Sequence, residues 1–149
     1  MLVIPTTAER QRILKEQQNN NRLGTFTATL EVSPFDFKAD VAYLHYDDPK
    51  RYNLLADIDT PDHFYSFGMF IPRNAEEGTI RVSTNPYSET TVYVAYLAAV
   101  DGGLKFFIGA SGFVNYQYFP AERRIQGQFE YRDVLGKTFK GAFNVHEES

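Results

Sequence analysis

The stretch TVYVAYLAAVDGGLKFFIGASGFV, Thr91–Val114, decides how the chain is read. Two strand-like runs flank Asp101-Gly102-Gly103, a turn signal, and together they form a hairpin. In the first arm Tyr93, Ala95, Leu97 and Ala99 share one face, and Val92, Val94, Tyr96, Ala98 and Val100 the other. The second arm sets Leu104, Phe106, Ile108 and Ala110 against Lys105, Phe107, Gly109 and Ser111. An antiparallel strand normally leaves one face to solvent, so two apolar faces need two covers. One cover is the core or a cavity. For the other, the expectation is an N-terminal helix or a second protomer over a centrally placed pair of strands.

Working outward, the remainder after Gly24 also reads as strand. TFTATLEVS puts Phe26, Ala28, Leu30 and Val32 on one face. FKADVAYLHY puts Phe37, Ala39, Val41 and Tyr43 inward, on the same alternation. YNLLADID, HFYSFGMFI and TIRVST follow, separated by turn-forming clusters. Near the end, Ile125, Gly127, Phe129 and Tyr131 share a face, as do Phe139, Gly141, Phe143 and Val145. Gly-x-Phe recurs at Gly24-Phe26, Gly68-Phe70, Gly127-Phe129 and Gly141-Phe143. A glycine on the same face as a ring leaves space for a neighbouring ring and lets a sheet curve. Turns at intervals of about ten residues predict an all-β fold. The expected form is an antiparallel meander of roughly eight to ten strands in a single barrel or sandwich.

Only the start of the chain predicts a helix. Thr6 and Glu9 have capping-box spacing, good helix formers follow, and Asn19-Asn20-Asn21 stops the run. Ala8, Ile13 and Leu14 form a narrow apolar side. The expected organisation is an N-terminal helix and linker over 1–23, packed on a β domain over 24–149, in one compact unit.

Composition excludes several classes. The 149 residues carry a formal charge of -4, a poor match to a polyanion, so nucleic acid is not an expected partner. No cysteine is present, which removes disulfides, thiolate metal sites and cysteine nucleophiles. No signal peptide or apolar run of the roughly 18 residues a membrane helix needs is visible, so the expected location is cytoplasmic.

Motifs for chemistry fail on their own geometry. Asp57, Asp59, Asp62 and His63, with His45, Asp47 and Asp48, offer hard oxygen ligands, but Asp62 stands where a calcium loop needs glycine. Gly109-Ala110-Ser111-Gly112-Phe113 approaches a nucleophile elbow, yet Phe113 replaces the last glycine and no helix follows. The reading therefore names no catalytic residue, metal ligand or cofactor. Tyrosine suits interfaces and planar ligands because it joins an apolar ring to a polar tip. Tyr87, Tyr93, Tyr96, Phe107, Tyr116 and Tyr118 are the candidate binding residues.

Gly24-Thr25-Phe26 after a short helix resembles the Gly-x-Trp opening of lipocalins, which implies a barrel around an apolar ligand. The likeness spans three residues, with Phe26 in place of the tryptophan, and assigns no family. The functional expectation is a non-catalytic binding or protein-interaction module for an apolar, sugar-like or protein ligand, with homo-oligomerisation as an option. The alternatives are a small carboxylate- or histidine-dependent hydrolase or isomerase in a barrel mouth, and a self-assembling or membrane-inserting β-hairpin protein.

Overall fold

The structure is a computed structural model and describes residues 8, 12, 24–45, 48–59, 64–73, 77–100 and 103–147. Apart from Ala8 and Arg12, the segment expected to form the N-terminal helix lies outside the described residues, as do the turn residues Asp101 and Gly102. Every named element is a strand: β1 Gly24–Leu30, β2 Phe37–Lys38, β3 Val41–His45, β4 Arg51–Asp59, β5 Phe64–Pro72, β6 Gly78–Arg81, β7 Tyr93–Val100, β8 Gly103–Phe119, β9 Arg124–Asp133 and β10 Thr138–His146. They pair antiparallel in the order β2-β1-β10-β9-β8-β7-β5-β4-β3, with β6 beside β8. The all-β antiparallel expectation holds at that level. The sheet curls into a half-barrel, and the thirteen phenylalanines and ten tyrosines of the chain supply much of what fills it.

The concave face carries the main core. Strict alternation sends Phe26, Ala28 and Leu30 of β1 inward, as expected, together with Phe129 and Tyr131 of β9 and Phe139, Phe143 and Val145 of β10. Their rings interlock: Phe26 lies 4.9 Å from Phe67 and 5.4 Å from Phe129, and Tyr131 stacks on Phe139 at 4.7 Å. The Gly-x-Phe device works across strands. Gly127 pairs with Phe143 and Gly141 with Phe129, and each ring lies over the opposite glycine. A side chain at either position would collide with that ring, so the two glycines allow the rings to lie flat on a curved sheet.

Two departures from simple alternation shape the molecule. The run Phe37–Tyr43 was expected to keep one face inward, but the structure corrects this. Phe37, Ala42 and Leu44 join the main core, whereas Val41 and Tyr43 lie in a second cluster with Leu55 and Phe70. The phase changes because the chain crosses between partners. Ala39 N–H donates to Phe26 O (3.0 Å), and the next amide, Asp40 N–H, donates to Asp57 O (2.9 Å).

The second departure lies within Thr91–Val114. Val92, Val94, Tyr96 and Ala98 face the core. Partners across β7 and β8 share a face, which puts Phe107 and Gly109 on the concave side. A bulge between Gly109 and Ser111 then shifts the register, and Val114 and Tyr116 become the inward residues. Gly112 takes a φ of 125°, open to glycine without strain. GASGF is thus the bend that lets one 17-residue strand serve both halves of the sheet.

Candidate functional site

The six aromatic candidates separate into four places. Tyr96 is buried in the main core, 4.7 Å from Phe67, and half-buried Phe107 packs on it at 5.9 Å. Burial pushes the Tyr96 phenol well above its ordinary pKa. Tyr116 belongs to the main core, and half-buried Tyr118 packs against it. Tyr118 stacks on Tyr52 at 4.7 Å and its hydroxyl donates to Glu147 Oε1 (3.2 Å). Burial, with smaller contributions from Tyr52 and Glu77, raises the Tyr116 phenol to about 12. Tyr93 lies half-buried on the convex face against Phe70 (6.1 Å). Tyr87 is 67% exposed on the loop between β6 and β7.

The aromatics inside the half-barrel therefore pack mainly on one another. The acidic cluster of the sequence does not assemble a metal centre among the described residues, where no three histidine, aspartate or glutamate side chains gather. Asp57 is buried and accepts a 2.6 Å hydrogen bond from Ser66 Oγ, while Asp62 and His63 lie outside the described residues.

Three surfaces remain as candidates. The first is the convex face of β3, β4, β5, β7 and β8. Register aligns Val41, Asp57, Ser66, Leu97 and Phe106 in one row, and Tyr43, Leu55, Gly68, Ala95 and Ile108 in the next. Burial falls steadily along these rows. Val41, Tyr43, Leu55 and Asp57 are buried, and Ala95, Leu97 and Ile108 are half-buried. Leu104 and Phe106 stand 59% and 61% exposed. The sequence placed Leu104 and Phe106 on an apolar face but did not mark them as a site.

The second surface is an open cleft of about 720 Å³ on the opposite half of the sheet, lined by Asn115, Gln117, Gln126, Gln128 and Asn144 among others. It is rich in neutral amides. Arg124 Nη1 donates to Gln126 Oε1 (2.7 Å) and Asn144 Oδ1 (3.2 Å), which fixes two of those amides.

The third is a smaller cleft of about 390 Å³ lined by Pro49, Lys50, Arg51, Pro72, Arg73, Tyr87, Ser88 and Glu89. Sequence reasoning found Tyr87 but not the cations around it. Arg51 and Arg73 lie 22 residues apart and meet only through the β4–β5 pairing.

No protein-family model matches the chain, and neither a curated protein nor a solved structure matches it.

Proposed function

We propose that the protein is a non-catalytic interaction module that docks a protein partner on the convex face of the β7–β8 hairpin. One observation carries the reading: the row Tyr43-Leu55-Gly68-Ala95-Ile108, buried at β3 and β4, runs to β8, where the neighbouring Leu104 and Phe106 are largely exposed. Adjacent exposed apolar side chains that continue a buried face favour association over isolated exposure. In this reading the expected N-terminal helix covers the β3–β4 part of the face, and the partner, either another protein or a second copy, extends that cover to β8. Partner side chains would meet Phe106 as the central anchor, with Leu97, Ala99, Leu104 and Ile108 around it.

Native mass spectrometry of protein purified from its own host tests this. The wild-type chain is expected to retain a stoichiometric protein partner or a second copy. The double variant Leu104→Glu/Phe106→Glu should run as a bare monomer with its thermal midpoint unchanged, because both side chains already face water. A wild-type chain that behaves as the same bare monomer would overturn the reading.

A further inference from the structure

We propose that the cleft between the β4–β5 end and the loop between β6 and β7 binds a phosphomonoester carried on a planar body, in the manner of a nucleoside monophosphate. This site is separate from the convex apolar face and does not depend on it.

The key residue is Arg51. Arg51 lines the cleft, the residue is only 7% exposed, and none of the ion pairs among the described residues involves it. A guanidinium that lacks a counter-charge favours an anion beside it. An anion entering the cleft supplies that counter-charge.

The surroundings suit such a ligand. Arg51 pairs with Pro72 across β4 and β5, and Arg73 N–H donates to Lys50 O (2.9 Å), so Lys50, Arg51 and Arg73 are held together by backbone geometry. Arg73 is oriented further by its Nε donating to Arg51 O (3.0 Å) and by its guanidinium lying 4.8 Å from the Tyr52 ring centroid. Neither Lys50 nor Arg73 makes an ion pair among the described residues. Among the described residues the lining thus holds three cations and one carboxylate, Glu89, a net of two positive charges. A phosphomonoester carries about -1.5 to -2 at neutral pH and presents oxygens in the geometry a guanidinium fork takes up. A simple carboxylate would neutralise about half of that charge. Asp48, buried three residues before Arg51, uses Oδ1 to accept from Lys50 N–H (2.9 Å) and makes no ion pair with Arg51.

The cleft exceeds what a bare phosphate needs and falls at the lower end of small-molecule sites. Pro49, Pro72 and the exposed Tyr87 ring supply its flat, apolar walls. The loop bearing Tyr87 is organised by its own side chains. Tyr87 N–H donates to Asn85 Oδ1 (2.9 Å), Thr90 and Thr91 N–H donate to Ser88 Oγ (3.2 and 3.1 Å), and the Ser83 and Thr91 hydroxyls meet at 2.7 Å. A loop whose backbone is already ordered loses little freedom on binding.

Isothermal titration calorimetry on the full chain at low salt, with adenosine monophosphate, adenosine, inorganic phosphate and benzoate, tests the assignment. Adenosine monophosphate should bind most tightly, inorganic phosphate at least tenfold more weakly, and adenosine and benzoate more weakly still. Arg51→Met should weaken nucleotide binding at least tenfold while keeping or raising the thermal midpoint. Lys50→Gln, at an exposed position, should weaken it several-fold with no change in midpoint. Tyr87→Ala should weaken the nucleotide but leave phosphate unchanged. Absence of heat from all four probes, benzoate binding as tightly as the nucleotide, or unaltered affinity in both Arg51→Met and Lys50→Gln would each overturn the proposal.

Discussion

The two halves of the sheet solve the same problem differently. In the half built from β9, β10 and β1, buried and exposed residues alternate, and the convex side presents Gln126, Gln128, Glu130 and Lys140 to water. In the half built from β3, β4 and β5, both faces are largely buried; all five residues of β3 are buried. The first half is a one-sided sheet closed by a single core. The second is two-sided, with Val41, Tyr43, Leu55 and Phe70 forming a separate apolar cluster on the convex face. β8 joins the two, and its bulge is where one pattern gives way to the other. A strand sequence therefore reports how many covers it has as much as which way it faces.

Charge substitution gives the sharpest test of this contrast. Leu55→Lys, on the convex side of the two-sided half, should cost about 3–5 kcal/mol because it buries an uncompensated ammonium. Gln128→Lys, on the convex side of the one-sided half, should stay within about 0.5 kcal/mol. Urea denaturation of the two variants measures both. Equal small effects would mean that the convex side of β4 is open to water, and the contrast would fail.

Neighbouring positions in β10 sharpen the picture of the one-sided half. A Cβ at Gly141 would meet Thr27 O and the Phe129 ring, so Gly141→Ala should cost about 1–3 kcal/mol through overpacking. Ala142→Val, one residue on and facing solvent, should change stability by no more than about 0.5 kcal/mol in the same assay.

The smallest expected effect is a pH dependence. Burial raises the Tyr116 phenol from its ordinary 10.0 to about 12, so the folded state favours the neutral ring. This contribution is fully present below pH 10, and it is lost as the pH rises from 10 towards 12. Urea midpoints taken between pH 8 and 11 should fall at the alkaline end, and less so in Tyr116→Phe. An identical alkaline slope in the two chains would show that Tyr116 ionises as freely folded as unfolded.

The alternating half was legible in the sequence. Phe26, Ala28 and Leu30, and likewise Phe139, Phe143 and Val145, face inward where period-two spacing put them. The failures came where the chain changes partners. Nothing in the letters of Phe37–Tyr43 marks the step from Phe26 to Asp57 as partner, since the apolar spacing continues through it. GASGF did carry a signal, two glycines and two small residues in a strand, but its bulge restores the phase only when β9 supplies the register. The candidate cleft was harder still. Tyr87 stood out by residue type, whereas Lys50, Arg51 and Arg73 become a cluster only after a long-range pairing.

The pairing of β1 with β10 has a consequence in time. Thr29 meets Lys140 across 111 positions of chain, and among the described residues β1 pairs with no other strand except the two-residue β2. During synthesis the first strand therefore waits for almost the last one before its edge is paired. Pairings this distant must meet a loop-closure cost before any contact rewards them, which places such sheets among the slow folders, on the order of milliseconds to seconds. Until then Thr25, Thr27 and Thr29 alternate with Phe26, Ala28 and Leu30 along an unpartnered β-prone strand. A nascent chain in that state is the form most exposed to mispairing, and the order of emergence from the ribosome bears on the yield of folded protein.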